Sequence, residues 1–229
     1  MTGNGKSVAT LIGDLVGSRE AADRSRLQAL TESVLETVNE LMEPVQPIAP
    51  TVGDEFQGAF STVAEAVRAS LLLELELLDK AEVGSRYGLG FGSVSLLEER
   101  SPRIPRIQDG SGWWSARAGI DRAKNLARKP STSFSRTCFG HWEHVPGETL
   151  RVSEVAALNA FLLCRDAILD RMGSRSRRNL VGLMRGRTQA ELAKREGVSQ
   201  SAISQDLRAS GATAIVAATA ELFDGDRIR

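Results

Sequence analysis

Val52-Gly53-Asp54-Glu55-Phe56-Gln57 places a Gly-Asp turn between two extended runs, Val45 to Val52 and Glu55 to Phe60, the pattern of a β-hairpin with an acidic tip. Two prolines in the first run favour an edge position or an irregular start. Upstream, Ile12-Gly13-Asp14-Leu15-Val16-Gly17-Ser18 carries a second Gly-Asp pair, at the end of a short apolar run, Val8 to Asp14, that reads as a buried strand. In both places a carboxylate leaves a strand where it can meet a metal ion. Two such carboxylates point to a nucleotide phosphate site.

Outward from these strands, apolar residues recur at three and four. Leu27, Leu30, Val34, Leu35, Val38, Leu41 and Met42 predict an amphipathic helix over 20–42, limited by Pro44. Ser61 as N-cap, with Val63, Ala66, Val67, Leu71, Leu75 and Leu78 on one side, predicts a second helix to Asp79. Residues 86–97 read as a strand in which Gly88, Gly90 and Gly92 alternate. This run lacks the third glycine of a dinucleotide fingerprint and reads instead as a face onto which a helix or ligand backbone packs closely. A charged loop over 98–108 leads to Asp109-Gly110-Ser111-Gly112, which opens a helix to Ala127. On it Arg117 and Lys124 lie two turns apart on one face, either as solvated charges or as holders of phosphate. Residues 131–139 read as a last strand. The succession predicts an α+β domain: a palm-like, ferredoxin-like sheet with helices on one face.

Bulk properties exclude little. The 229 residues suit one medium domain and a smaller one, and the 29 basic and 29 acidic residues balance, so only local charge argues for nucleic acid. Cys138 and Cys164 lack metal or redox spacing and read as free, buried thiols of a cytoplasmic protein. No apolar run approaches the roughly 20 residues that span a bilayer. Gly3-Asn4-Gly5-Lys6-Ser7 has the Gly-Lys-Ser tail of a phosphate loop without its first glycine or a preceding strand, and reads as a terminus.

His144 to Gly147 reads as a linker, dividing the chain into residues 1–146 and 147–229. Beyond it only helices are expected. Val155, Leu158, Phe161, Leu162, Ile168 and Leu169 stripe a long helix over 152–172, and Arg171, Arg175, Arg177, Arg178, Arg185 and Arg187 form a basic cluster suited to phosphate backbone. Thr188 and Glu191 form a capping box, Gly197 supplies a left-handed turn, Val198 plugs the core, and Ser199 caps the next helix, 200–210. Ala202, Ile203 and Leu207 point inward; Gln200, Ser201, Ser204, Gln205 and Arg208 point outward. Small and amide side chains in the first turn with an arginine beyond are what a recognition helix needs in a major groove. Residues 188–210 resemble the helix-turn-helix of bacterial regulators, with a closing helix over 212–223. The expected DNA contacts are Arg187, Thr188, Gln200, Ser201, Ser204, Gln205 and Arg208.

Gly13-Asp14-Leu15-Val16-Gly17-Ser18, Val52 to Gln57, the Gly88 to Val94 strand and Asp109-Gly110 with Trp114 and Ala116-Arg117 together resemble the SatD-like family. They are also similar to a divergent class III nucleotidyl cyclase and, more loosely, to diguanylate cyclases. That resemblance implies Asp14 and Asp54 as metal ligands, Leu15, Val16, Gly17 and Ser18 as the phosphate loop, Mg²⁺ as the ion, and Arg117 and Lys124 beside a purine nucleotide or nucleotide second messenger. The chain departs from the cyclases near Pro50, where they carry a base-reading lysine, and at Trp113-Trp114 and Arg117, where they carry an asparagine and an arginine in another register. Losing those groups removes orientation and charge stabilisation.

The first expectation is therefore a dimeric, cytoplasmic transcriptional regulator that binds double-stranded DNA and senses a nucleotide through a degenerate cyclase-like domain, without catalysis. An active metal-dependent cyclase or phosphoryl-transfer enzyme is the second reading. A DNA-binding protein whose first domain only dimerises is the third.

Overall fold

The computed structural model describes residues 7–98, 107–141 and 151–227. Gly3 to Lys6, nearly all of the charged loop and the linker at 144–147 lie outside them. Strand β1 (Ser7–Leu15) leads through a 3-10 turn to α1 (Arg24–Met42). The hairpin β2 (Gln46–Pro50) and β3 (Glu55–Phe60) follows, then α2 (Val63–Lys80), β4 (Ser85–Ser93), β5 (Ser95–Glu98), β6 (Ile107–Asp109), α3 (Ser111–Ala127) and β7 (Thr137–Phe139). Helices α4 (Val152–Arg171), α5 (Ser174–Met184), α6 (Gln189–Glu196), α7 (Gln200–Ala209) and α8 (Ala212–Arg227) complete the described chain. The architecture is α+β, with a mixed sheet in the order β2-β3-β1-β4-β7; β1 is antiparallel to both β3 and β4, and β7 is parallel to β4.

Period-two alternation divides β1 between two layers. Ala9, Leu11 and Leu15 join Val34, Leu35 and Val38 of α1 and Val67, Leu73 and Leu77 of α2 on one face. Ile12 packs with Trp113, Ala116 and Ile120 of α3 on the other. Helices thus cover both faces rather than the single face expected, because α3 docks on the glycine side of β4. There a Cβ at Gly88 would fall 2.0 Å from Ala116 O, and one at Gly90 would fall 2.4 Å from Ala116 N and Gly112 O. Only glycine lets the helix backbone rest on the strand backbone.

Several local expectations shift. Thr62, not Ser61, caps α2, through a capping box with Glu65; one residue's difference in the β-to-helix bend selects the hydroxyl that reaches the N3 amide. The long strand over 86–97 breaks at Val94, and β5 pairs with β6 in a separate ribbon. Residues 130–132 form a 3-10 turn, so β7 is short. Cys138 is buried as expected, but Cys164, free like it, faces solvent on α4.

Strand β7 lies at the sheet edge, and α4 satisfies its outer backbone groups with side chains. Asp166 accepts from the Arg136 and Thr137 amides at 2.7 and 2.6 Å. Asn159 both accepts from Phe139 N and donates to Phe139 O, each at 2.9 Å. An edge strand dressed in this way offers no template to another chain. Buried Arg165 neutralises Asp166 and donates to Thr137 Oγ1, Ser70 Oγ and Val67 O, tying α4 to α2. Val155, Leu158 and Leu162 of α4 share the core of the sheet layer, and Leu71 and Leu75 of α2 share the core of α5 to α8. Helix α2, expected to have one apolar side, is buried on two.

Packing tolerances here are narrow. Gly90→Ala should lower the unfolding free energy by about 1–3 kcal/mol in chemical denaturation, since backbone rather than a flexible side chain must yield. A second expectation concerns Glu74, which faces Tyr87, Asp166, Arg136 and Arg165. Burial pushes its carboxyl from the ordinary 4.5 up to about 7, against the hydrogen bond it accepts from Ser85 N. The folded state then holds a proton that the unfolded state releases between those values, so stability falls as pH rises through that window and is level above it. Glu74→Gln should flatten that slope in pH-dependent urea titrations.

Candidate functional site

The acidic residues meet α3 at one end of the sheet. Asp14 is the cross-strand partner of Glu55 on one side and of Arg86 on the other. Because α3 is seated against β4 and β1, its Arg117 and Lys124 stand over that row. Lys124 Nζ lies 2.9 Å from Asp14 Oδ2, and Arg117 grips Glu55 with two parallel bonds of 2.8 Å. The expected shared face of Arg117 and Lys124 is real, and carboxylates of this same chain occupy both. The Arg117 guanidinium holds the Glu55 carboxyl below its ordinary range; burial works against it, and the Lys124 charge adds to it.

Asp54 sits in the hairpin turn beside them. Its carboxylate accepts from Ser18 Oγ. Ser18 and Asp54 line a cleft of about 400 Å³ between α1 and the hairpin, floored by Leu15, Leu35 and Phe56, with Gln28 at its rim. The four residues expected to cradle phosphate divide. Leu15 N donates to Asp54 O and Val16 N to Gly84 O, so both amides are engaged in holding the sheet edge. The Leu15 side chain is core. Gly17, in a left-handed conformation, and Ser18 carry the loop onward.

Two residues of the site escaped the sequence reading. Glu55 was placed only as a strand residue, though strand alternation with Asp14 as its cross-strand partner could have found it. Arg86, whose buried Nε has no hydrogen-bond partner, belongs to the row only through the pairing of β4 with β1.

The donor chemistry of Asp14 and Asp54 fits a divalent cation. Carboxylate oxygens suit Mg²⁺, which keeps several waters and completes its shell from phosphate. Among the described residues no group of three or more His, Cys, Asp or Glu side chains gathers to hold an ion by itself. Asp14 and Asp54 would supply the protein's share.

In the C-terminal helices, the expected capping box of Thr188 with Glu191 is present, Gly197 adopts φ 67° as the C-cap of α6, and Ser199 caps α7. Without a Cβ, Gly197 makes this reversal at no steric cost. Ile203 and Leu207 are buried, whereas Gln200, Ser201, Gln205 and Arg208 are exposed and Ser204 is half-buried. Val198 does not plug the core: it is 38% exposed and stands outside the cluster that holds Leu192 and Ile203. Arg187 is exposed. Three arginines of the basic cluster are neutralised: Arg175 by Asp206, Arg178 by Asp79 and Arg185 by Glu76.

These features define an α+β protein with a row of carboxylates and cations at one end of the sheet and helices packed on α2. A model described as the SatD family matches residues 8–130, and the chain belongs to that family. No curated protein sequence matches it. Among solved structures it is similar to the dimeric guanylyl cyclase domain of the RhoGC fusion protein from the aquatic fungus Blastocladiella emersonii, at 13% identity, 51% of this chain, 74% of that chain and a TM-score of 0.41. It is also similar to a bacterial light-regulated adenylyl cyclase (16% identity, 55% and 43% coverage, TM-score 0.41) and to the adenylyl cyclase CyaB from P. aeruginosa (15%, 49% and 70%, 0.38). Likenesses at this level say nothing of what the chain itself binds. No helix among the described residues is long and apolar enough to cross a membrane.

Arg117→Gln should raise the Glu55 pKa, read by carboxyl-carbon NMR titration. A depressed carboxylate contributes stability above its unfolded pKa that is lost as pH falls through the folded one. The stability gap between the wild type and Arg117→Gln should therefore close on acidification.

Proposed function

We propose that this chain is a dimeric, DNA-binding transcriptional regulator whose sheet domain, residues 1–146, takes a purine nucleotide or nucleotide second messenger. Residues 147–229 bind double-stranded DNA through a helix-turn-helix. The observation that carries this reading is α7: a helix anchored by Ile203 and Leu207, entered through the left-handed Gly197, with Gln200, Ser201, Gln205 and Arg208 in solvent. Amides reach base edges in a major groove, while Arg187 and Thr188 suit phosphate. Two half-sites call for two such helices and hence a dimer.

The nucleotide end rests on Asp14 and Asp54, which would hold Mg²⁺, with Gly17 and Ser18 beside the phosphates. Bound there, Mg²⁺ would neutralise phosphate charge. Arg117, Lys124 and Arg86 supply further positive charge within the same row. Helix α2, shared by the sheet core and the core of α5 to α8, supports communication between the two ends, provided the ligand favours one arrangement over another. The cyclase departures at Pro50, Trp114 and Arg117 favour sensing over turnover.

A thermal-shift screen of nucleotides with and without Mg²⁺ should find one that raises the melting temperature of the wild type but not of Asp14→Ala or Asp54→Ala. In DNA-binding titrations, Gln205→Ala should weaken specific binding by roughly tenfold or more, whereas Arg187→Ala should weaken binding to all sequences and reduce the salt slope by about one. Cyclic or pyrophosphate product formed from ATP or GTP, and abolished by Asp14→Ala, would replace sensing with catalysis. A silent nucleotide screen would leave the first domain with dimerisation alone.

A further inference from the structure

We propose that Lys124 and Arg117 are resident counter-ions that compete with a divalent cation for the acidic edge, so that the site admits a cation only when phosphate oxygens are present to receive them. This rests on the reading that Asp14 and Asp54 hold such a cation. Three observations carry it. The cations already sit on the carboxylates, Lys124 Nζ at 2.9 Å from Asp14 Oδ2 and Arg117 on both oxygens of Glu55. Their backbone is fixed, since α3 rests directly on the glycines of β4, so both side chains are rooted over the carboxylates. The contacts are also partly withdrawn from water, with the Asp14 side chain 13% and the Glu55 side chain 24% exposed.

A divalent ion approaching Asp14 would meet an ammonium group already hydrogen-bonded to one of its oxygens. Repulsion between like charges at that range is large in a partly buried site, so the ion and Lys124 exclude one another. Arg117 on Glu55 adds a second positive charge next to the Asp54 turn. Once displaced, both side chains remain within reach of the same edge and can donate to the oxygens of a phosphate that arrives with the metal. Metal and phosphate then bind cooperatively, and each must raise the affinity of the other by the same factor. Arg86, with its buried Nε unpartnered, adds charge of the same sign to the row.

The test uses Mn²⁺ alone, with the free ion followed by electron paramagnetic resonance on the full chain. Wild-type protein should bind Mn²⁺ weakly. Lys124→Gln should tighten binding at least tenfold, Arg117→Gln should tighten it as well, and Lys124→Arg should restore wild-type weakness. The Arg117 side chain is 47% and the Lys124 side chain 30% exposed, and circular dichroism on each variant checks that it is folded. Adding Asp14→Asn to Lys124→Gln should abolish the gain. Mn²⁺ binding that Asp14→Asn removes but Lys124→Gln leaves at wild-type strength overturns the competition while sparing the metal reading. Binding indifferent to Asp14→Asn in the Lys124→Gln background overturns the metal reading at this edge, and the competition with it.

Discussion

The contact of the α3 backbone with the β4 backbone is the constraint on which the site depends. Gly88 and Gly90 remove the side chains that would otherwise hold a helix away from the strand, and the helix settles onto the sheet through main-chain atoms. A helix resting at that depth has little freedom to slide or rotate. Arg117 and Lys124 are therefore delivered to Glu55 and Asp14, residues that belong to other strands and lie far away in sequence.

A second set of contacts makes the helical end continuous with the sheet. Asn159 and Asp166 take the place of a neighbouring strand for β7, and Arg165 neutralises Asp166 while reaching α2. Buried charge of this kind is tolerable because its hydrogen-bonding groups are matched, and removing one partner would leave the other uncompensated. Helix α2 contributes Leu72, Leu73 and Leu77 to one core and Leu71 and Leu75 to the other. Arg68 donates to Met184 O, and Glu76 and Asp79 pair with Arg185 and Arg178, so the polar rim of α2 is bound to α5 as well. The arginines that made residues 171–187 look basic thus serve in part to fasten the two ends together.

This end of the sheet combines opposite charges in one row: Asp14, Asp54 and Glu55 with Lys124, Arg117 and Arg86. Such a row is close to balanced without any ligand, which lets the carboxylates persist in a partly buried place. Any ion or anion that enters must disturb existing pairs, so occupancy at this edge is coupled to side-chain rearrangement on α3. The cleft between α1 and the hairpin opens from the same turn through Asp54 and Ser18, giving a ligand an apolar floor next to the charged row.

Much of this was legible in the residues alone. Periodicity and turn residues located β1, α1, the hairpin, α2, α3, α4 and α6 to α8, because each reflects a local pattern, and the caps at Thr188, Gly197 and Ser199 follow from short-range hydrogen bonding; α5 passed only as a basic cluster. The two Gly-Asp pairs marked the acidic end of the sheet for the same local reason. Other features depend on which elements become neighbours. That α3 covers the opposite face, that Glu55 and Arg86 flank Asp14, that Lys124 and Arg117 are paired with carboxylates of their own chain, and that α2 is buried twice all follow from strand order and helix docking. Register between β1, β3 and β4 is a long-range property: it arises when separated segments choose the pairing that buries the most apolar surface, and no window of sequence contains it. The sequence by itself determined the elements and the kind of charge at each turn; tertiary structure decided which charges meet.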